Sequence, residues 1–155
     1  MRKRIYILLF CLILCFIWGN SMLSAETSGA ISHFVATILG GNREPSAEGH
    51  HLVRKLAHFC EFMSLGVISV LLCGETLYKK SERVMFCGFV GVFVPLVDET
   101  IQIFTGRGPS LVDVWIDVGG FASGCLIVTA ILTIIAARAK KRSEREKTDV
   151  LNVSE

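Results

Sequence analysis

Charge is missing over long stretches of this chain. Ile5 to Leu23 holds no acid or base in 19 residues, and Val118 to Ala137 holds none in 20. Hydrophobic residues make up 52% of the 155 residues, and the mean hydropathy is +0.55. That excludes an ordinary soluble domain of this size. Uncharged runs of about 18 or more residues mark helices that cross a bilayer. Other absences narrow the chemistry. None of the six cysteines forms a C-x-x-C pair, and Cys11, Cys15, Cys60, Cys73, Cys87 and Cys125 all fall in apolar segments. They read as small hydrophobes, not as a disulfide or metal framework. There is no glycine-rich phosphate loop and no nucleic-acid motif, so neither a nucleotide cofactor nor a nucleic-acid partner is expected. No serine or cysteine nucleophile stands beside an evident base. Ser64 and Ser69 lie within an apolar helix and read as packing residues.

The apolar segments are arranged as four spans, roughly 5–23, 53–74, 84–105 and 111–137. The first begins like a signal peptide, with a basic start and an apolar run. Cutting after Ala25 would place Leu23 three residues before the cut, where a small residue is needed. An uncleaved first span is therefore expected. Spans two and three are short if only uncharged residues count: Phe62–Gly74 is 13 residues and Val84–Val97 is 14. A 30 Å hydrocarbon core needs about 20. These helices must carry ionisable residues into the membrane or fail to cross it.

Lysine and arginine set the orientation, because they favour the cytoplasmic side. Twelve of the 16 fall at one set of helix ends, and only Arg43, Arg54, Lys55 and Arg107 fall at the other. That places both termini in the cytoplasm. Residues 24–52 then lie outside. Within them, Ile31, Phe34, Val35, Ile38 and Leu39 have helical spacing, ended by Gly40-Gly41, so a short amphipathic helix is expected there. The expected fold is an all-α integral membrane bundle of four transmembrane helices over residues 1–137. A charged cytoplasmic tail follows at 138–155.

Acids cluster where two apolar runs meet, in "DETIQIFTGRGPSLVDVWID" at 98–117. Counting rise along each helix gives their depth. Glu61 lies 13 residues from Gly74, about 20 Å, and Asp98 lies 14 from Val84, about 21 Å. Asp117 lies 20 residues from Ala137, at about the outer edge of the core. His58 and Glu61 are spaced i, i+3; Asp98 and Gln102, like Asp113 and Asp117, are spaced i, i+4. Each pair therefore shares a helix face. Gly88, Gly91 and Pro95 continue the Asp98 stripe, and Gly120 and Gly124 continue that of Asp117. Small residues let membrane helices approach closely, so the acids are expected to face the bundle interior. Pro95 leaves the Gly91 carbonyl without its helical donor. Ser110 and Asp113 fit a capping box opening span four, and Arg107 is positioned to pair with Asp98 or Asp113. Acids this deep cost roughly 2.5–3.5 kcal/mol each at a helix centre and mark functional sites. H-x-x-E supplies only two metal ligands. With no second histidine at a metal spacing, and His50 and His51 in a surface loop, no metal is expected.

Three blocks carry a further signal: "HFCEF" at 58–62, "DETIQIFTGR" at 98–107 and "DVWIDVGG" at 113–120. In order and residue type they resemble the VanZ-like family of small bacterial membrane proteins. Its pattern runs H-x-x-E-[FY], then D-E-x-x-Q-x-F with G-R soon after, then D-[VI]-x-x-[ND]-x-x-G. The resemblance covers roughly 54–124, and "WGNSMLSAETSGAIS" at 18–32 matches more loosely. It implies a multi-pass protein of the bacterial cytoplasmic membrane, tied to the cell envelope and to glycopeptide resistance of the teicoplanin type. It also implies that His58, Glu61, Asp98, Glu99, Gln102, Arg107, Asp113 and Asp117 form the site. Three readings follow. The site binds a lipid-linked or amphiphilic ligand at the outer leaflet. Or it is an enzyme acting on a lipid headgroup, with Glu61 and Asp98 as acid and base and His58 as shuttle. Or its polar layer only holds helices together in an assembly partner.

Overall fold

A computed structural model describes the backbone of residues 1–23, 25–39, 47–77, 79–106 and 110–153; side chains within helices are described except at 25, 26, 28, 32, 36, 39, 47–51 and 146–153. All regular structure among the described residues is helical. The helices are α1 (Arg2–Ser21), α2 (Ala25–Leu39), α3 (Ala47–Thr76), α4 (Lys80–Phe104) and α5 (Leu111–Val153). Four of them, α1, α3, α4 and α5, are long and apolar enough to cross a membrane. The short helix expected between spans one and two is α2. Gly40-Gly41 lies outside the described residues. α5 continues without interruption past residue 137 into the charged tail, where Lys140 and Glu144 pair at 3.9 Å one turn apart.

Burial is inverted relative to a soluble protein. Asp98 is 0% exposed and Asp117 1%, while Leu8 is 60%, Phe89 62% and Leu126 71% exposed. Soluble folds bury such leucines and solvate such acids. Here the outer surface is apolar along the spans and the charged groups are inside, as a lipid surround requires. A compact apolar core joins Ile17, Phe62, Leu65, Ile68, Val90, Val94 and Phe121 from all four long helices.

The closest helix pair is α3 with α5, which run parallel. A side chain at Gly120 would strike the Phe59 carbonyl, one at Gly124 the Met63 carbonyl, and one at Gly66 the Phe121 carbonyl. Gly120 and Gly124 form a G-x-x-x-G face, and glycine there permits backbone-to-backbone approach. Gly91 brings α4 against this pair, since its missing Cβ would lie 2.6 Å from the Phe121 ring. Pro95 is buried one turn further on. Gly88 is the exception among the expected packing residues. It is exposed, and a Cβ there meets nothing within 4 Å. α4 and α5 diverge at that level, leaving an apolar groove of about 950 Å³ that Gly88 lines with Val92, Ala122 and Leu126. The sequence stripe continues past the point where the two helices stay in contact.

Ser64, Ser69 and Thr76 return their hydroxyls to the carbonyl one turn back, at 2.9, 2.7 and 2.6 Å. Mid-helix hydroxyls in an apolar surround satisfy themselves in this way. All six cysteines are free thiols.

Candidate functional site: a buried polar layer

One end of the bundle gathers nearly all the buried charge. His58 and Glu61 come from α3, Asp98, Glu99 and Gln102 from α4, and Asp113 and Asp117 from α5. His58 is the hub. Its Nδ1 lies 3.8 Å from Asp98 Oδ2 and 3.7 Å from Asp117 Oδ1. Gln102 Nε2, one turn beyond Asp98, donates to Asp98 Oδ2 at 2.7 Å. Ser21 Oγ, at the end of α1, donates to Asp98 Oδ1 at 2.5 Å. Both oxygens of this fully buried carboxylate therefore accept a hydrogen bond, which lowers the cost of keeping it out of water. Asn20 Nδ2 donates to Glu61 Oε1 at 2.9 Å. Thr105 Oγ1 donates to the Ser21 carbonyl at 3.2 Å and fastens the end of α4 to the end of α1.

The α4–α5 turn completes the layer. Gly106 adopts φ 79°, a left-handed conformation that glycine accepts without strain. At the start of α5 the Ser110 backbone N–H donates to Glu99 Oε1. Ser110 Oγ in turn accepts from the Asp113 N–H at 3.3 Å, the capping contact that the sequence pattern predicts. Asp113 pairs with Arg54 Nη2 at 3.3 Å, with side chains 15% and 30% exposed. Arg107 falls outside the described residues, as do the side chains of His50 and His51.

The structure therefore brings together His58, Asp98, Gln102 and Asp117, with Glu61, Glu99 and Asp113 each tied to a partner at the same end. It adds three residues that were not singled out for the site: Asn20, Ser21 and Arg54. The two α1 residues carried a usable signal. Ser21 is 19 residues from Arg2 and Asp98 is 18 from Lys80, so both stand about 27–29 Å along their helices. A depth count applied to uncharged polar residues finds them.

Two features remain open to a ligand. Asp117 Oδ1 and Glu99 Oε2 are buried and have no hydrogen-bond partner among the described residues. A groove of about 550 Å³ runs between α1, α2 and α3. Phe16, Leu23, Val35 and Ala57 line it, and it reaches Asn20, Arg54, His58 and Glu61. Its apolar wall faces the surround and its polar end is the layer itself.

The VanZ/LLP1 family profile matches residues 5–134. Nothing among curated proteins or solved structures matches the chain.

Proposed function

The chain belongs to the VanZ/LLP1 family and is built as a multi-pass membrane protein; from that premise we propose that it binds the headgroup of an amphiphile at the outer leaflet. The observation that carries this reading is the shape and polarity of the α1–α2–α3 groove. A hydrocarbon chain fits against Phe16, Leu23 and Val35, while a phosphate or carboxylate reaches Arg54 and hydroxyl or amine groups reach Asn20 and Glu61. Arg54 is 30% exposed at its side chain, so a ligand anion can engage its planar fork while Asp113 remains beside it. The basic residues concentrated at the opposite helix ends support an orientation with both termini cytoplasmic and the polar layer outward. The exposed apolar face of α2, with Ile31 at 49%, Phe34 at 66% and Ile38 at 61% exposure, fits a helix lying in the membrane interface beside the groove mouth. An envelope amphiphile such as a lipid-linked wall precursor is the ligand class, and tolerance of teicoplanin-type glycopeptides in a bacterial cytoplasmic membrane is the proposed physiological consequence.

Gly19 offers a clean test. It lines the groove, and a Cβ added there meets nothing within 4 Å. Gly19→Phe therefore starts from open space and adds a ring to the groove lining, and matched thermal stability checks that helix packing is kept. Native mass spectrometry of the purified protein should find an amphiphile retained by the wild type and lost from Gly19→Phe at equal thermal stability. Equal retention by both proteins contradicts the groove as the binding route.

A further inference from the structure

We propose that His58, Asp98 and Asp117 form a site for a divalent transition-metal ion. One ligand atom from each, an imidazole nitrogen and two carboxylate oxygens, lies within 4.8 Å of the others. All three residues are buried, at 5%, 0% and 1% exposure. They come from α3, α4 and α5, one from each, so spacing along a single helix does not reveal the set.

The geometry is that of ligands around a common centre. The separations from His58 Nδ1, 3.8 Å to Asp98 and 3.7 Å to Asp117, exceed a hydrogen bond. Two ligands bound tetrahedrally to zinc at the usual bond lengths stand about 3.4 Å apart. The two His58 separations exceed that by a few tenths of an ångström, and the whole set lies within 4.8 Å, so side-chain movement without helix movement closes the site. Asp117 Oδ1, buried and without a hydrogen-bond partner among the described residues, supplies the independent sign that something is held here. A nearly fully buried carboxylate oxygen is costly to leave unpaired.

Second-layer contacts fit the same reading. Ser21 and Gln102 both donate to Asp98, at 2.5 and 2.7 Å. Outer hydrogen bonds of this kind orient carboxylate ligands and tune affinity. Charge balance also favours a dication. Asp98, Glu99 and Asp117 are all buried in this layer, and Arg54 lies against Asp113. The mixed nitrogen and oxygen donor set favours zinc, manganese, iron or cobalt over calcium and magnesium, which take oxygen alone. Three protein ligands leave a coordination position open. His58 is the ligand that also lines the amphiphile groove, so that position is placed to meet a phosphate or carboxylate headgroup. The metal site rests on the same polar layer as the proposed function but does not require an amphiphile.

Cobalt(II) is a direct probe, because its visible spectrum reports coordination number. Purified full-length protein in detergent, stripped with chelator, should bind about one Co²⁺ or Zn²⁺ per chain. The cobalt form should show the strong visible absorption of a low-coordinate site. Asp117→Asn and His58→Gln should each weaken binding roughly 10-fold or more, and Ser21→Ala about 10-fold, judged by the effect of outer-shell changes. Glu75→Gln, at the far end of α3, should bind as the wild type does. A wild type that takes up no metal, or affinity unchanged in both ligand variants, overturns the proposal. If a variant fails to elute as a single species, the wild-type spectrum decides alone, and a spectrum equal to that of aqueous cobalt overturns it. Amphiphile retention is measured on separate, metal-stripped samples, so either property can fail while the other stands.

Discussion

Ser21 Oγ, at the end of α1, donates a 2.5 Å hydrogen bond to Asp98 Oδ1 of α4, across 77 positions of sequence. Neither residue is accessible to the surround. The bond joins an uncharged span to the charged one and fixes their relative depth. It also holds one oxygen of Asp98, leaving the other to face His58 and Gln102. Much of the site follows from this contact, because it decides where the α4 carboxylate points.

Ser21→Ala should therefore destabilise the bundle by about 1–2 kcal/mol, the scale of a buried interhelical bond to a charged acceptor. Ser123→Ala is the control, since the Ser123 hydroxyl only returns to its own helix at the Gly119 carbonyl, 2.7 Å away. It should change stability by less than about 0.5 kcal/mol. Reversible unfolding in mixed micelles measures both. Equal effects would mean that the α1–α4 bond adds nothing to stability.

Helix approach gives a second contrast. Gly124→Ala places a methyl group onto the Met63 carbonyl, and Gly120→Ala one onto the Phe59 carbonyl. Each should cost about 2 kcal/mol or more, because a backbone carbonyl cannot rotate away as a side chain can. Gly88→Ala meets open space and should be neutral or slightly stabilising, as alanine favours the helix by about 1 kcal/mol. Thermal stability in detergent ranks the three. A Gly88 variant as damaged as the other two would show that α4 packs closely at that level.

Topology can be read with an impermeant thiol reagent applied to intact cells. A cysteine introduced at Ser143 should be protected until the membrane is permeabilised, and one introduced at Ser46 should react from outside. The native thiols of Cys11, Cys15 and Cys60 lie on spanning helices and should stay silent in the parent protein. Outside labelling at Ser143 contradicts the cytoplasmic placement of the termini.

Arginine geometry separates binding from charge balance. The Arg54–Asp113 pair is partly exposed, so Arg54→Lys should change stability by less than about 1 kcal/mol. Lysine keeps the charge but loses the planar two-pronged grip on phosphate or carboxylate. Amphiphile retention should fall roughly 10-fold on the scale of one lost charged hydrogen bond. The same comparison at Arg107 tests its expected role in the site. Wild-type retention in both lysine variants would assign these residues to charge balance alone.

The sequence made part of this arrangement legible for physical reasons. His58, Glu61, Asp98, Gln102 and Asp117 could be placed together because helical rise and the 3.6-residue repeat are fixed by backbone geometry. The Gly120–Gly124 face was legible for the same reason. Asn20 and Ser21 were less visible, since they end an uncharged run and owe their roles to the depth at which α1 meets α3 and α4. Gly66 was also hidden, because its close approach to Phe121 depends on where α3 and α5 cross. Asp113 found Arg54 as its described partner, and that pairing depends on helix positions that no local pattern encodes. Gly88 shows the converse: a stripe can continue on one helix after its neighbour has turned away.

A buried polar layer that recognises a ligand differs measurably from one that is only glue between helices. Glu61→Gln with Asp98→Asn separates the two, because both changes keep shape and remove charge. Quantitative mass spectrometry of the amphiphile retained per chain, on inserted protein of matched stability, is the measurement. The ligand-site account predicts that retention falls roughly 10-fold or more, the loss expected when charged hydrogen bonds to a headgroup are removed. Retention equal to that of the wild type, in a double variant that is equally expressed and folded, would contradict it.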